Sequence, residues 1–382
     1  MYRLTLIVVL LFLLLEVQAQ ESLNLAKVDS LTLQYYLKGD WEKLIDMGNN
    51  AIENKIDFKW LRQRMGYAYY LKKDFYSSEI QYEKALNFDK TDVNTQLYLY
   101  YCGLNTGNTI LARYYAGMLP KELKFKLGIK PLRILDAVDI EYNYKVNDAY
   151  SRFNPTYKRI GVNTKLSYRL NLYQSASTYD QIVNSTVPTV QNEYFATLNW
   201  SLNAHTSLDI GYHFVNTVID GTAFNGNLFF TGLYRTLNRF DVGITGSELS
   251  NSMGNFGQIG LHAGVILPGQ LNAYLKSSVY DMIESNNNRI VFSQTAGALF
   301  LKNFWLEGNL TLGNLNNYVD KNGLYLYNSL DETTFRTGAT IFWYAGKKLI
   351  FFGNYTYDKK FITDTGANYN QHSFSGGIIW KI

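Results

Sequence analysis

From about residue 130 to Ile382 the chain alternates apolar and polar side chains with period two, in segments of about 10 to 14 residues. Val138, Ile140, Tyr142 and Tyr144 alternate with Asp139, Glu141, Asn143 and Lys145. Ile160, Val162, Leu166 and Tyr168 alternate with Arg159, Gly161, Asn163, Lys165 and Arg169. Tyr194, Ala196, Leu198, Trp200 and Leu202 keep the phase, as do Leu208, Ile210, Tyr212 and Phe214, and the chain closes on Phe374, Gly376, Ile378, Trp380 and Ile382. On a helix these residues would spread round the whole surface. On strands they sort into one apolar and one polar face. A soluble sandwich also alternates, but its strands average about 5 to 6 residues. A tilted strand crossing a bilayer needs about 9 to 11. Long alternating strands therefore predict an antiparallel transmembrane barrel over 130–382.

Composition agrees. Tyr, Phe and Trp make up 16% of the chain, with 32 Tyr, 29 Gly and only 5 Pro, as expected of a large sheet with aromatic strand ends. Tight turns are expected near Arg169-Leu170-Asn171, Asn203-Ala204-His205, Leu237-Asn238, Pro268-Gly269-Gln270, Lys302-Asn303 and Gly346-Lys347. Longer polar loops are expected at 147–157, 184–190, 215–226, 248–255, 284–289, 314–332 and 359–371. The count comes to about 14 strands, an even number that puts both strand termini and the short turns on one side.

The first residues read differently. Arg3 gives a positive start, Leu4 to Leu15 is apolar, and Val17-Gln18-Ala19 offers small residues for cleavage. This predicts a secretory signal peptide over 1–19. No Cys follows the expected cleavage site, so no lipid anchor is expected there.

Between these segments, 20–125 has helical periodicity and an internal repeat. Tyr35-Tyr36-Leu37-Lys38-Gly39-Asp40-Trp41 recurs 34 residues later as Tyr69-Tyr70-Leu71-Lys72-Lys73-Asp74-Phe75, and Gly107-Asn108 stands a further 34 on. Ala51 and Ala85 keep the same spacing. This resembles the tetratricopeptide repeat family. Gly66, Tyr69, Ser78, Tyr82 and Ala85 match its alternating small and large positions, whereas Lys90 stands where that motif often has Pro. The resemblance implies a short α-solenoid of three repeats that binds a periplasmic protein. The expected fold is thus α + β with two domains: a tetratricopeptide-like solenoid, then the barrel.

The chain carries few signs of reaction chemistry. One cysteine, Cys102, excludes an intramolecular disulfide framework and makes a Cys-rich zinc site untenable. Thirty-six Lys and Arg against 32 Asp and Glu give a net charge of +4, too small for nucleic-acid binding by bulk charge. HExxH, P-loop and GxSxG patterns are absent from the sequence. No catalytic residue, cofactor or metal is therefore expected. Asp320-Lys321-Asn322-Gly323 has oxygen ligands but not the spacing of a calcium loop, and reads as a turn. The polar strand phase instead predicts a mixed-charge lumen lined by Asp139, Glu141, Lys145, Arg159, Lys165, Arg169, Asp209, His213, His262, Lys276, Glu307 and Arg336.

Helical repeats followed by a barrel resemble the outer-membrane exporters of bacterial exopolysaccharides and the smaller YaiO-type barrels. The resemblance implies a bacterial outer-membrane protein in contact with lipid, its helical domain periplasmic, passing a polar solute or polymer. A non-conducting anchor for partner recruitment, or a barrel-embedded enzyme acting on lipid or glycan, are the alternatives.

Overall fold

A computed structural model describes residues 23–252, 254–269, 271–284, 288–328, 330–363 and 365–382. The expected signal peptide at 1–19 lies outside the described residues, as do Gln270 of one expected turn and residues 285–287 of the expected loop at 284–289. The chain divides into two compact units between Gly107 and Asn108.

The first unit holds five helices: α1 (Leu25–Lys38), α2 (Trp41–Glu53), α3 (Lys59–Leu71), α4 (Phe75–Leu86) and α5 (Val93–Thr106). Their starts are written in the sequence. Asn24, Asp40, Asp74 and Asp92 each accept a hydrogen bond from the backbone N–H three residues on, satisfying a donor that the first turn leaves free. Before two of these caps the backbone turns left-handed, at Gly39 and at Lys73. The 34-residue period is thus carried partly by caps and turns. Asn108, a further 34 residues on, caps the next helix in the same way.

Close approach explains the small residues. A Cβ on Gly66 would meet the Tyr82 ring at 2.9 Å, and one on Gly48 would strike Met65. Ser78 Oγ donates to the Gly66 carbonyl at 2.8 Å, and Cys102 Sγ lies 3.4 Å from Ser78 Oγ. Ala85 and Leu61 are fully buried, and Tyr69 packs on the edge of a core built by Val28, Leu44, Leu61 and Met65. Burial pushes the Cys102 thiol up to about 12, so the reactive thiolate is scarce at neutral pH.

The second unit opens with helices α6 (Thr109–Met118) and α7 (Lys121–Lys126), although the repeat spacing counts these with the helical domain. Strands follow: β1 (Arg133–Asn147), β2 (Thr156–Lys165), β3 (Leu170–Val183), β4 (Val187–Ser201), β5 (Thr206–Ile219), β6 (Thr222–Leu237), β7 (Phe240–Asn251) and β8 (Gly254–Ile266). Then come β9 (Tyr274–Ile283), β10 (Arg289–Leu301), β11 (Phe304–Leu312), β12 (Tyr318–Asp320), β13 (Tyr325–Tyr327), β14 (Glu332–Ala345), β15 (Leu349–Ile362) and β16 (Ala367–Lys381). All except β12 and β13 form one closed antiparallel barrel of fourteen strands, sealed where β1 pairs with β16 from Ala137↔Lys381 to Asn147↔Gln371.

Burial follows the alternation. Ser207, Asp209, His213 and Val215 of β5 are buried inside, while Ile210 between them is 52% exposed. Ile140, Ile160, Ile244, Leu261, Ile290 and Phe374 are likewise about half exposed or more. Such an apolar band on a closed sheet is what a bilayer's hydrocarbon covers.

The expected loops need correction. Strands β5 and β6 run through 215–226 and turn on Asp220-Gly221; β15 and β16 fill most of 359–371; β3 and β4 turn at 184–186. At the end of β5 and start of β6 the outer face turns polar, which breaks the alternation. Asn216, for example, donates to Asn225 across the outside of β5 and β6 at 2.8 Å. The segments 148–155 and 313–331 remain as long connections.

Replacing Gly66 with Ala should force the Tyr82 ring aside at an overpacking cost of about 1–3 kcal/mol. The expected outcome is that labelling of Cys102 by a thiol reagent at pH 8 speeds up by about tenfold. An unchanged labelling rate would show that this helix contact does not limit opening of the unit.

Candidate functional site

The connection 313–331 does not stand outside the barrel. It enters the lumen as a hairpin of β12 and β13 joined by a 3-10 turn at Lys321–Gly323. Its apolar residues dictate this course. Leu315, Tyr318 and Val319 are at most 4% exposed. Leu315 and Tyr318 pack on Tyr280, Met282 and Val291 of the wall, and Val319 packs on Leu228, Phe230 and Leu249. The tip is tight: Lys321, Asn322 and Gly323 all have left-handed φ, and a Cβ on Gly323 would lie 3.3 Å from the Phe195 ring. Asn and Gly tolerate that backbone best.

Polar wall residues hold the hairpin by its backbone and tip. The Gln258 amide donates to the Val319 carbonyl and accepts from the Val319 N–H, both at 2.9 Å, as a strand would. His213 Nδ1 lies 2.8 Å from the Gly323 carbonyl. Asn322 donates to Asp209 at 2.7 Å and accepts from the Tyr234 hydroxyl at 2.8 Å. Asp209 stands three residues from the start of β5, and Tyr234 three from the end of β6. The tip therefore reaches close to the tight-turn end of the barrel. There Arg113 of α6 donates to Asn199, which donates to Asp209. Arg169 stacks on Tyr114 at 4.2 Å, and Lys124 lies over Tyr168 at 4.3 Å.

At the other end the hairpin returns through Asp331. Arg152 grips that carboxylate with two bonds of 2.8 Å, and the Tyr369 hydroxyl donates to it at 2.7 Å. Both side chains of the ion pair are at most 6% exposed. A buried two-pronged pair of this kind fixes geometry, and removing one partner strands the other charge.

Beside the hairpin the lumen keeps a cavity of about 800 Å3. Glu141, Lys145, Arg159, His262, Lys276, Glu307 and Arg336 line it. Arg159 is ion-paired to Asp139 at 2.8 Å and to Glu141 at 2.9 Å, and Glu141 also accepts from Tyr325 of the hairpin at 2.8 Å. Glu307 accepts from Tyr274 at 2.5 Å, and Lys276 Nζ lies 5.8 Å from the Tyr234 ring centre. Asp209 and His213 serve the hairpin tip. Lys165 ends β2 on the inward phase. Arg169 sits in the turn after β2, stacked on α6, because β2 stops at Lys165.

Two histidines meet groups of interest. His262 has Ser278 Oγ at 2.8 Å from Nδ1 and Thr245 Oγ1 at 3.0 Å from Nε2, between the rings of Tyr234 and Tyr280. Among the described residues no carboxylate or amide side chain orients this ring, so the third member of a serine-type triad is missing. His213 Nε2 lies 3.4 Å from Glu193, a lumen pair already engaged with Ser177 and Gln191.

Fold and lumen together define a closed fourteen-strand antiparallel barrel, preceded by helices and obstructed by its own loop. No protein-family model matches the chain, and no curated protein matches it. Among solved structures it is similar to the toluene transporter TodX of P. putida, with 6% identity over 65% of this chain and 91% of that one at a TM-score of 0.45. It is also similar to the CymD monoaromatic hydrocarbon channel, with 9% identity over 72% of this chain and 93% of that one at 0.41. A bacterial polysaccharide outer membrane secretin matches with 11% identity over 65% and 99% at 0.40.

Arg152→Ala should leave the Asp331 carboxylate buried with its main cation gone, at a cost of about 3–5 kcal/mol. The expected result is protease cleavage within 313–331 under conditions where the parent barrel resists. Equal resistance would show that the remaining apolar and hydrogen-bond contacts of the hairpin suffice to hold the loop.

Proposed function

We propose that this protein is a gated outer-membrane channel, in which the hairpin of 313–331 obstructs a barrel that passes a polar solute or polymer when the hairpin moves. One observation carries this: a closed, externally apolar barrel encloses a charged cavity whose obstruction is a loop held by apolar packing, side-chain hydrogen bonds and one ion pair. A strand of the wall could not move without breaking the ladder. A loop held in this way can. A lumen of balanced charge also suits hydrated solutes better than apolar ones.

In this reading the barrel spans the bacterial outer membrane with its short turns and α6 on the periplasmic side. Helices α1 to α5 then form a tetratricopeptide-like periplasmic domain. Its half-buried aromatic rings support a protein-docking role. Tyr36 meets Tyr67 at 5.4 Å, Tyr67 meets Tyr98 at 5.6 Å and Tyr98 meets Tyr101 at 6.2 Å, one or two rings per 34-residue repeat. A glycan polymer is one candidate cargo, on the architectural resemblance to exporters. The depth of the hairpin specifically favours a second reading, a permanently closed anchor that recruits partners.

Proteoliposome swelling separates the two. A variant with 317–327 replaced by a short Gly-Ser link, checked for a folded barrel by heat-modifiable migration, should admit small sugars about tenfold faster than the parent. No gain in a folded variant would favour the anchor. Recovery of the parent from cells as soluble periplasmic material would defeat both readings.

A further inference from the structure

We infer that the cavity wall formed by β14, β15, β16 and β1 is an oxyanion site, which takes a carboxylate or phosphate group on the solute. This rests on the channel reading and adds the chemistry of the cargo. Arg336 and Asp358 face each other across β14 and β15, and Gln371 of β16 stands beside Asp358. Lys145 of β1 lies one inward step away, opposite Ser373, and Lys360 one inward step along β15. All of them border the cavity except Ser373.

Charge on this wall is uneven. Asp358 is shared between Arg336, at 3.3 Å, and the Gln371 amide, at 3.4 Å. Asp331, the next carboxylate, is already clasped by Arg152. Arg336, Lys360, Lys145 and Arg152 therefore stand among three carboxylates, Asp358, Asp331 and, from the hairpin, Asp320. Glu141, two inward steps along β1 from Lys145, is paired to Arg159 of β2, and Glu193 of β4 is engaged with His213, Ser177 and Gln191. Lys145 meets the face of Tyr179, its Nζ 5.3 Å from the ring centre, and Arg336 lies 4.5 Å over Tyr327 of the hairpin. Lys145 is thus held on an aromatic face and, among the described residues, in no ion pair, whereas Arg336 shares Asp358 and rests on a second ring.

A second observation points to the same wall. Arg336 Nη1 and Ser373 Oγ, which can donate, and Asp358 Oδ1 and Asn143 Oδ1, which only accept, are buried and find no hydrogen-bond partner among the described residues. Buried polar atoms are nearly always bonded, so the two unmet donors mark a place where an acceptor belongs. Cations in excess select its sign. A planar guanidinium beside an ammonium matches a carboxylate or phosphate, which accepts from both.

The test uses the full chain refolded in detergent and three probes on one skeleton: glucuronate, glucose 6-phosphate and glucose. Calorimetric titration should show at least one of the two anions binding about tenfold or more tighter than glucose. Binding by only one of them identifies the group, carboxylate or phosphate. Lys145→Gln, which leaves the Arg336–Asp358 pair in place, should weaken that binding by about tenfold. Glucose binding as tightly as the anions, or full affinity in the Lys145→Gln variant, overturns the proposal. Should the variant fail to fold, ion preference of the hairpin-deleted channel decides instead. A preference for chloride over potassium supports the site, and no preference or the reverse overturns it. Failure of all three probes to bind, with sugar flux through the hairpin-deleted barrel intact, would refute the oxyanion site and leave the channel reading standing.

Discussion

Hydrocarbon offers no hydrogen bonds, so every backbone N–H and C=O at membrane depth must find its partner within the protein. In this chain the pairing of β1 with β16 meets that demand, because it removes the two open edges that a fourteen-strand sheet would otherwise present. Much else follows from closure. It fixes an inside and an outside, and so gives meaning to the phase of each strand. Isoleucine, leucine and aromatic side chains face out, while Asp209, Gln258, His262 and Asp358 face in. It also creates an interior too wide for wall side chains alone to fill.

That interior is managed in two ways. Part is filled by the 313–331 hairpin, whose tyrosine, leucine and valine side chains build a small apolar core against inward residues of β6 to β10. Part remains as a charged cavity, where Arg159 binds two carboxylates and Lys145 and Arg336 rest on tyrosine faces. The two are coupled through the hairpin's own side chains, since Tyr325 donates to Glu141 and Tyr327 lies under Arg336. Withdrawing the hairpin would therefore change the electrostatics of the cavity as well as its width. The chain of contacts from Arg113 through Asn199 and Asp209 to Asn322 ties α6 to the hairpin tip. Motion of that helix has a short physical route to the obstruction.

The strand phase was legible because the side-chain period of a strand is two and one face must meet lipid. Ile140, Ile160, Ile210 and Phe374 announce it plainly. Strand ends were harder to read. Around Asn216 and Asn225 the outer face is polar while Val215, Ile219 and Phe224 line the lumen, so the alternation reverses and 215–226 reads as a loop. Phase alone places Arg169 on a strand that ends at Lys165. The inward course of 313–331 had a signal that length alone did not supply. Leu315, Tyr318, Val319 and Leu326 are too apolar for a solvated loop, and Asn322-Gly323 marks a tight turn between them. The partners of that hairpin, Gln258, His213 and the Arg152–Asp331 pair, are far apart in sequence. Only the closed topology brings them together.

The most direct test of a hairpin-gated barrel is single-channel recording with the tip locked in place. In a Cys102→Ser background, Asp209→Cys and Asn322→Cys would place two thiols where Asn322 now donates to Asp209. Oxidised protein should be silent in a planar bilayer, and reduction in the same membrane should bring intermittent openings. Steady conductance in the oxidised state would contradict the account, because the barrel would then pass ions with its hairpin fixed inside.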